Sequence, residues 1–143
     1  MRRCGVIFII AALLFVPLLI AHRAEADVLV RVDRGSQTMA VNVDGANLYT
    51  WPVSTGRSGY RTPAGVFHPE WMTVRWFSRI YDNSPMPHSI FYFSGFAIHG
   101  SYEVRRLGTP ASHGCIRLHP DNAAILYNLI EREGMKNTTI IVR

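Results

Sequence analysis

The stretch SHGCIRL, residues 112–118, places a cysteine behind a histidine and a glycine, just ahead of the one helix that the sequence predicts. A cysteine nucleophile needs a base within hydrogen-bond reach, and that base needs an acceptor that fixes its tautomer. The nucleophile also needs backbone N–H groups that face a developing oxyanion, and glycine lets the backbone approach closely. The amides of Gly114 and Cys115 are candidates for those groups. Residues 112–115 are therefore a candidate nucleophile loop.

Two histidines are candidates for the base. His99, in the sequence Ile-His-Gly, lies 16 residues upstream of Cys115. His113 is only two residues from Cys115, and on a strand both side chains would point to the same face. The residues alone leave both histidines open. Three other interpretations of Cys115 also stay open: a buried thiol that packs as a small hydrophobic side chain, an intermolecular disulfide, and a zinc ligand together with both histidines. For zinc, no acidic residue nearby stands out as the base that would activate metal-bound water.

Residues 1–26 have the three parts of a secretory signal peptide. Arginines at positions 2 and 3 precede an apolar run over residues 6–21, and Ala24-Glu25-Ala26 forms an A-x-A cleavage site. We predict cleavage after Ala26, export to the periplasm or cell envelope, and a single domain over residues 27–143. An uncleaved leader that anchors the chain in a membrane is the alternative.

Composition narrows the class of protein. The chain has 143 residues, a formal net charge of +5 and two cysteines, Cys4 and Cys115. That length excludes a TIM barrel and a dinucleotide-binding enzyme with a separate substrate domain. Two cysteines exclude a disulfide scaffold and a four-cysteine zinc site. Loss of the leader leaves 12 basic and 9 acidic residues with no basic run, so nucleic acid is not an expected partner.

Apolar alternation and turn residues predict a mainly β domain with one helix. The helix begins at Pro120, behind a capping His119, and ends at Gly134. Residues 54–67 contain three glycines and a proline, which predicts an ordered loop. Pro52, near the end of the third predicted strand, indicates either an edge strand or the end of a strand. The predicted strands are Val28–Asp33, Thr38–Val43, 48–53, 74–79, 90–93 and Thr138–Val142.

Three segments together resemble the L,D-transpeptidase catalytic domain, the YkuD-like family. They are residues 112–118 with the upstream His99-Gly100, the stretch STGRSGYRTPAGVF at residues 54–67, and Gly108-Thr109-Pro110-Ala111. The resemblance spans residues 28–142, essentially the whole chain behind the leader. It implies a single small mixed β-sandwich or barrel with one or two short helices, and it implies no cofactor and no metal.

The resemblance also implies roles for individual residues. Cys115 would be the nucleophile, and His99 would be the general base, held by the backbone carbonyl of Gly100. The amides of Gly114 and Cys115, together with that of His113, would stabilise the oxyanion. Pairing with the imidazolium of His99 is expected to lower the pKa of the Cys115 thiol.

Five residues receive smaller roles. Ser112 and His113 are expected to shape the nucleophile loop by hydrogen bonding. Arg117 would either pair with a substrate carboxylate or support the loop. Tyr60 and Trp76 would either line the substrate cleft or pack in the core.

The chemistry of the family implies a cysteine enzyme that acts on peptidoglycan tetrapeptide stems. Cys115 would attack the carbonyl that precedes the terminal D-alanine, form a thioester and release D-alanine. An amine of another stem, or of a wall-linked envelope protein, would then accept the acyl group. With water as the acceptor the protein would be a carboxypeptidase or a hydrolase of peptidoglycan–protein links. A wall-binding domain with a vestigial site is the non-enzymatic alternative, and acylation by carbapenems is a further implication of catalysis.

Overall fold

The computed structural model describes residues 27–143, and the predicted signal peptide at residues 1–26 lies outside the described residues. Within residues 27–143, no helix has the length and apolar character that crossing a membrane requires. Two short 3₁₀ helices lie at Val104–Arg106 and Met135–Asn137. The other elements are β1 (Val28–Asp33), β2 (Thr38–Val43), β3 (Ala46–Pro52), β4 (Gly65–Phe67), β5 (Trp71–Thr73), β6 (Ser89–Phe93), β7 (Phe96–Gly100), β8 (Ile116–Leu118), α1 (Pro120–Glu133) and β9 (Thr138–Val142).

The first sheet has five strands in the order β3-β2-β1-β9-β4. Its central strand β1 alternates, so that Val28, Val30 and Val32 are buried while Arg31 is exposed. β1 pairs antiparallel with β2 and parallel with β9, the last strand of the chain. β3 forms one edge of the sheet and ends at Pro52, as the sequence predicts, because proline has no N–H to offer a further strand.

The second sheet has the order β5-β6-β7-β8 and carries the segments that the sequence singles out for chemistry. His99 and Gly100 end β7, and β8 follows directly on Cys115. β7 and β8 pair in parallel, with His99 opposite Arg117 and Gly100 opposite Leu118. This pairing brings two segments that are distant in sequence side by side at one end of the sheet.

Helix α1 covers the second sheet and completes the core. It packs on β6 and β7. Its buried Leu126 and Ile130 belong to one apolar cluster with Ile98 and Ile116 of the second sheet and Ile140 of the first. Both sheets and the helix therefore share a single core, and burial of its apolar surface stabilises their packing.

The predicted fold class is confirmed, since the domain is mainly β, with two mixed sheets and one α helix among the described residues. The predicted ends of the helix also agree with the structure. The side chain of His119 accepts a hydrogen bond from the amide of Asp121 at 3.3 Å, and Gly134 follows the last turn with a φ of 95°.

The structure corrects the strand predictions in two places. Residues 74–79, predicted as a strand, form a loop, in which Phe77 is exposed and makes an isolated bridge with Pro85, while Trp76 lines a cavity. Residues 54–67, predicted as a loop, end in β4, whose Gly65–Phe67 pair antiparallel with β9. β5, β7 and β8 are not among the predicted strands, since β5 and β8 have only three residues each and His99 and Gly100 interrupt the apolar pattern of β7.

Candidate active site

The imidazole of His99 is oriented by the carbonyl of the next residue. Its Nδ1 lies 2.7 Å from the carbonyl oxygen of Gly100. A carbonyl can only accept, so Nδ1 carries the ring proton and Nε2 keeps its lone pair. The pKa of His99 is lowered to about 4, mainly by burial and further by the charge of Arg117. The hydrogen bond to Gly100 acts in the opposite direction and raises this pKa. His99 is therefore neutral at pH 7 and can accept a proton at Nε2.

Gly100 makes this arrangement possible because the chain is crowded on both sides of it. A Cβ at this position would lie 3.0 Å from Cγ of Pro87 and 3.1 Å from Cα of Pro120. The amide of Gly100 also donates to the carbonyl oxygen of Pro87 at 2.8 Å. The end of β7 is thus fixed between a loop and the start of α1, and it holds the carbonyl that His99 uses.

Cys115 lines the same cavity as His99, a cleft of about 410 Å³. Burial raises the pKa of its thiol, while a backbone hydrogen bond with Ala97 and the charge of Arg117 act in the opposite direction. The prediction that an imidazolium lowers this pKa is wrong, because His99 is itself buried and neutral. The two groups therefore rest as a thiol and an imidazole.

Hydrogen bonds with the hydroxyl groups of Ser112 and Thr62 hold the backbone of the nucleophile loop. Ser112 Oγ accepts a hydrogen bond from the Gly114 amide at 3.0 Å and donates to the carbonyl oxygen of Cys115 at 2.5 Å. Thr62 Oγ1 donates to the carbonyl oxygen of Gly114 at 2.8 Å. Gly114 has a φ of 118°, and a Cβ there would lie 2.5 Å from a ring carbon of Phe96. The turn therefore requires glycine.

His113 lines the cavity too, but its ring is engaged differently from that of His99. Its Nε2 lies 2.8 Å from a guanidinium nitrogen of Arg57. A guanidinium can only donate, so Nε2 accepts and Nδ1 carries the proton. The ring stacks on Tyr81 with centroids 4.0 Å apart and meets Tyr60 edge-on at 4.7 Å. Burial, then the charges of Arg57 and Arg117, lower the pKa of His113.

An aromatic wall forms the other side of the cavity. Trp71 stacks on Phe91 with centroids 3.9 Å apart, and Trp76 meets both rings edge-on. Trp76 and Met86 also line the cavity, and Trp76 packs at the same time against the buried cluster of Met86, Phe91 and Ala97. Tyr60, the other aromatic candidate, is not among the lining residues, and it reaches the site through its contact with His113.

Arg117 and Glu103 form an ion pair at the rim of the cavity. One guanidinium nitrogen of Arg117 donates to a Glu103 carboxylate oxygen at 3.1 Å. The side chain of Arg117 is 15% exposed and that of Glu103 is 55% exposed. The backbone of Arg117 is fixed as well, since its amide and carbonyl exchange hydrogen bonds with Ser54 at 2.9 and 3.0 Å.

Comparison with known families accounts for this arrangement. The family model of the L,D-transpeptidase catalytic domain, YkuD, matches residues 27–142. The chain belongs to this family. Both sheets, the helix and the nucleophile loop lie inside the matched range. No curated protein matches the sequence.

Solved structures of the family have the same fold. An L,D-transpeptidase from Mycobacterium smegmatis is 30% identical, with a TM-score of 0.71, over 82% of this chain and 59% of that one. An L,D-transpeptidase from Stackebrandtia nassauensis is 26% identical, with a TM-score of 0.70, over 85% and 58%. L,D-transpeptidase 3 from Mycobacterium tuberculosis, in complex with a faropenem-derived adduct, is 22% identical, with a TM-score of 0.71, over 82% and 60%. The chain thus matches about three fifths of the length of each.

The zinc alternative has no ligand cluster to support it. Among residues 27–143, no group of three or more histidine, cysteine, aspartate or glutamate side chains is arranged to hold a metal ion. His113 Nε2 faces the cationic Arg57 instead of an open coordination site. His99, His113 and Cys115 therefore line one cavity without forming a ligand set.

Several residues of the site escape sequence reasoning. Thr62 lies in the segment that resembles the family but has no role assigned there, although its hydroxyl contacts the nucleophile loop. Arg57 and Glu103 become visible only as partners of His113 and Arg117. The sequence does contain a signal for Thr62, a threonine followed by proline inside a glycine-rich loop. Such a loop needs a side chain that forms hydrogen bonds with its buried backbone groups.

Proposed function

We propose that the protein is an exported cysteine L,D-transpeptidase that acts on peptidoglycan tetrapeptide stems. It would release the terminal D-alanine through a thioester on Cys115 and transfer the acyl group to an amine. One observation carries the proposal: a neutral His99, with its proton held at Nδ1 by Gly100, lines the same cavity as the free thiol of Cys115. Family membership supports the same conclusion.

Acylation begins from the neutral pair. As Cys115 Sγ attacks the stem carbonyl, the S–C bond forms, the carbonyl π electrons move to oxygen, and the thiol proton passes to His99 Nε2. The carbonyl of Gly100 then stabilises the imidazolium, since this hydrogen bond favours the charged ring. When the tetrahedral intermediate collapses, the C–N bond breaks, and the departing nitrogen of D-alanine takes the proton from Nε2.

The oxyanion needs N–H donors that are not already engaged. The amide of Gly114 donates to Ser112 Oγ in this structure, so it is not free in the way that the sequence suggests. The amides of Cys115 and His113 are the remaining candidates in the nucleophile loop. Two such donors match the oxyanion holes of acyl-transfer enzymes.

The substrate-binding roles follow from charge and shape. Arg117 has guanidinium N–H groups beyond the one that Glu103 occupies, and these suit a stem carboxylate. The aromatic wall of Trp71, Trp76 and Phe91 gives the stem an apolar surface and limits the access of water to the thioester. Tyr60 would act on substrate indirectly, by holding the ring of His113.

Product analysis tests the proposal and identifies the acceptor. The purified protein is incubated with tetrapeptide muropeptides, and the products are analysed by mass spectrometry, with the Cys115→Ala variant as the control. Cross-linked dimers that are absent with Cys115→Ala would establish transpeptidation between stems. Release of D-alanine that leaves tripeptide and no dimers would assign water as the acceptor. Unchanged tetrapeptide would contradict the proposed activity. Adding a wall-linked envelope protein tests the remaining acceptor through its mass increase.

Export of the protein belongs to the proposal as well. The features of residues 1–26 predict removal of the leader after Ala26 and delivery to the periplasm or cell envelope. The intact mass of protein recovered from the envelope fraction tests this. A chain beginning at Asp27 is expected, and a chain beginning at Met1 would favour a membrane anchor.

A further inference from the structure

Thr62 is a buried threonine that joins two loops beneath the nucleophile. Its side chain is enclosed, with the whole residue 2% exposed. Its Oγ1 accepts a hydrogen bond from the Gly56 amide at 2.8 Å and donates one to the carbonyl oxygen of Gly114 at 2.8 Å. Its own carbonyl oxygen accepts from Arg34 at 3.1 Å. The hydroxyl therefore uses both its donor and its acceptor capacity, and the backbone that carries it is anchored separately.

The bond from Thr62 fixes the orientation of one particular peptide group. The carbonyl of Gly114 and the amide of Cys115 belong to the same planar trans peptide, so they point in opposite directions. Because Thr62 holds the carbonyl oxygen on its own side, the N–H of Cys115 is directed away from Thr62. Thr62 does not line the cavity, whereas Cys115 does.

We propose that Thr62 is a positioning residue for acylation, which aims the Cys115 amide at the oxyanion by holding the Gly114 carbonyl. This inference rests on the proposed function, since it concerns the oxyanion that forms when Cys115 attacks an acyl group. Ser112 holds the two neighbouring peptide groups through the Gly114 amide and the Cys115 carbonyl. The peptide between Gly114 and Cys115 is held by Thr62.

The site of Thr62 explains why a side chain is needed there. Gly114 has a φ of 118°, a conformation that does not by itself fix the rotation of the peptide that follows. Gly56 approaches so closely that a Cβ on it would collide with the carbonyl oxygen of Tyr60. The close approach delivers the Gly56 amide to Thr62 Oγ1, which leaves the hydroxyl proton to donate to Gly114. The direction of the hydroxyl is thereby set.

Two reactions of the same thiol separate this role from general support of the fold. Acylation by a carbapenem forms an S–C bond to a carbonyl carbon, breaks the lactam C–N bond, and passes through an oxyanion. Alkylation by iodoacetamide forms an S–C bond at a tetrahedral carbon, expels iodide, and forms no oxyanion. The ratio of the two rates therefore cancels changes in the reactivity and accessibility of Cys115, which both reactions need, and responds to a loss of the oxyanion donors, which only acylation needs.

The variants are Thr62→Val, which keeps the volume and loses the hydroxyl, and Thr62→Ser, which keeps the hydroxyl. We expect Thr62→Val to lower the acylation rate roughly tenfold or more. This loss is smaller than the ~10²–10³-fold loss in rate that is typical when an oxyanion donor is removed outright. The alkylation rate is expected to stay unchanged. Thr62→Ser is expected to restore most of the acylation rate. Thr138→Val is the matched control, because buried Thr138 likewise donates to a glycine carbonyl, that of Gly134 at 3.0 Å, and does not line the cavity.

Specific outcomes overturn the inference. Equal acylation of the unmodified protein and Thr62→Val, a parallel fall in acylation and alkylation, or an equal loss in Thr138→Val would each contradict it. If Thr62→Val does not fold, Thr62→Ala is compared with Thr62→Ser under the same criteria. An unmodified protein that is alkylated but never acylated would overturn the proposed function and this inference with it, whereas the first three outcomes overturn the inference alone.

Discussion

His99 and Arg117 are register partners in the parallel pairing of β7 with β8. The strand that carries the candidate base therefore runs beside the strand that follows the candidate nucleophile. The pairing has an electrostatic consequence, since the charge of Arg117 adds to burial in lowering the pKa of His99. It also acts on the pKa of the Cys115 thiol, in the direction that opposes burial. The charge of Arg117 thus favours the thiolate of Cys115 and disfavours the imidazolium of His99, so its two effects on proton transfer between them oppose each other.

The lowered pKa of His99 predicts a pH-dependent stability. His99 titrates at about 4 in the folded protein and near 6.5 in the unfolded chain, so between these values the unfolded chain binds more protons. Stability from this group is complete above pH 6.5 and is lost as the pH falls toward 4, by up to roughly 3 kcal/mol. Urea unfolding at several pH values measures this. His99→Asn keeps a donor for Gly100 and does not titrate, so its stability is expected to fall less with pH. If the unfolding free energies of both proteins depended equally on pH, the lowered pKa of His99 would be contradicted.

The two histidines of the site are predicted to respond differently to substitution. His113→Phe keeps the ring contacts with Tyr81 and Tyr60, and we expect its carbapenem acylation rate to stay within about tenfold of the unmodified protein. His99→Ala removes the proton acceptor and is expected to lower that rate by roughly 10²–10⁴. Stopped-flow or mass-spectrometric acylation measures both rates, with circular dichroism as the control for folding. A larger loss in His113→Phe than in His99→Ala would reverse the assignment of the base.

Gly114 is predicted to be irreplaceable for folding of the loop. In Gly114→Ala the new Cβ meets the ring of Phe96 in addition to the strain of a φ of 118°. Strain contributes about 1–2 kcal/mol and overpacking about 1–3 kcal/mol of destabilisation. Gly108→Ala isolates the strain, because Gly108 has a φ of 90° and open space around it. Urea unfolding should rank Gly114→Ala as the less stable variant, and equal stabilities would contradict the contact with Phe96.

Substrate recognition by Arg117 is predicted to depend on the stem carboxylate. Arg117→Gln is expected to raise KM roughly tenfold for a stem with a free carboxylate and little for the amidated stem, since hydrogen bonds to charged groups contribute ~1.5–3 kcal/mol. Glu103→Gln frees the guanidinium of Arg117 and serves as the control, with an unchanged or lower KM. If Arg117 only supports the loop, Arg117→Gln will lower stability and kcat alike for both stems, with KM unaltered.

The sequence indicates which residues carry out the chemistry of this protein, but it does not indicate most of the tertiary contacts that hold them. Cys115 stands out as the only cysteine behind the predicted leader, and the resemblance to the family selects His99 and Gly100, since the residues alone leave His99 and His113 both open. The hydrogen bond between His99 and Gly100 joins adjacent residues, so local sequence carries it. The ion pair of Arg117 with Glu103 joins residues that neither periodicity nor spacing relates, and it depends on how the segment after β7 returns to the sheet.

The same distinction explains the strand predictions. β1, β2 and β9 alternate because one face of each packs on the core, and local pattern predicts them correctly. Residues 74–79 mix apolar and polar side chains without two regular faces, since Trp76 lines the cavity while Val74, which would share its face on a strand, is exposed. Alternation shows that a segment has two faces, whereas the presence of a pairing partner, which makes it a strand, is decided elsewhere in the chain.

The proposed function requires that Cys115 becomes the acyl-enzyme thioester, with His99 as its base. The most direct measurement is intact-mass spectrometry of the protein after incubation with a carbapenem, followed by peptide mapping of the adduct. A carbapenem opens its lactam ring without losing a leaving group, so we predict an increase by the full mass of the compound, located on Cys115 and absent in Cys115→Ala. An unmodified mass in a protein whose thiol still reacts with iodoacetamide, or an adduct on any other residue, would contradict the role of Cys115 as the nucleophile.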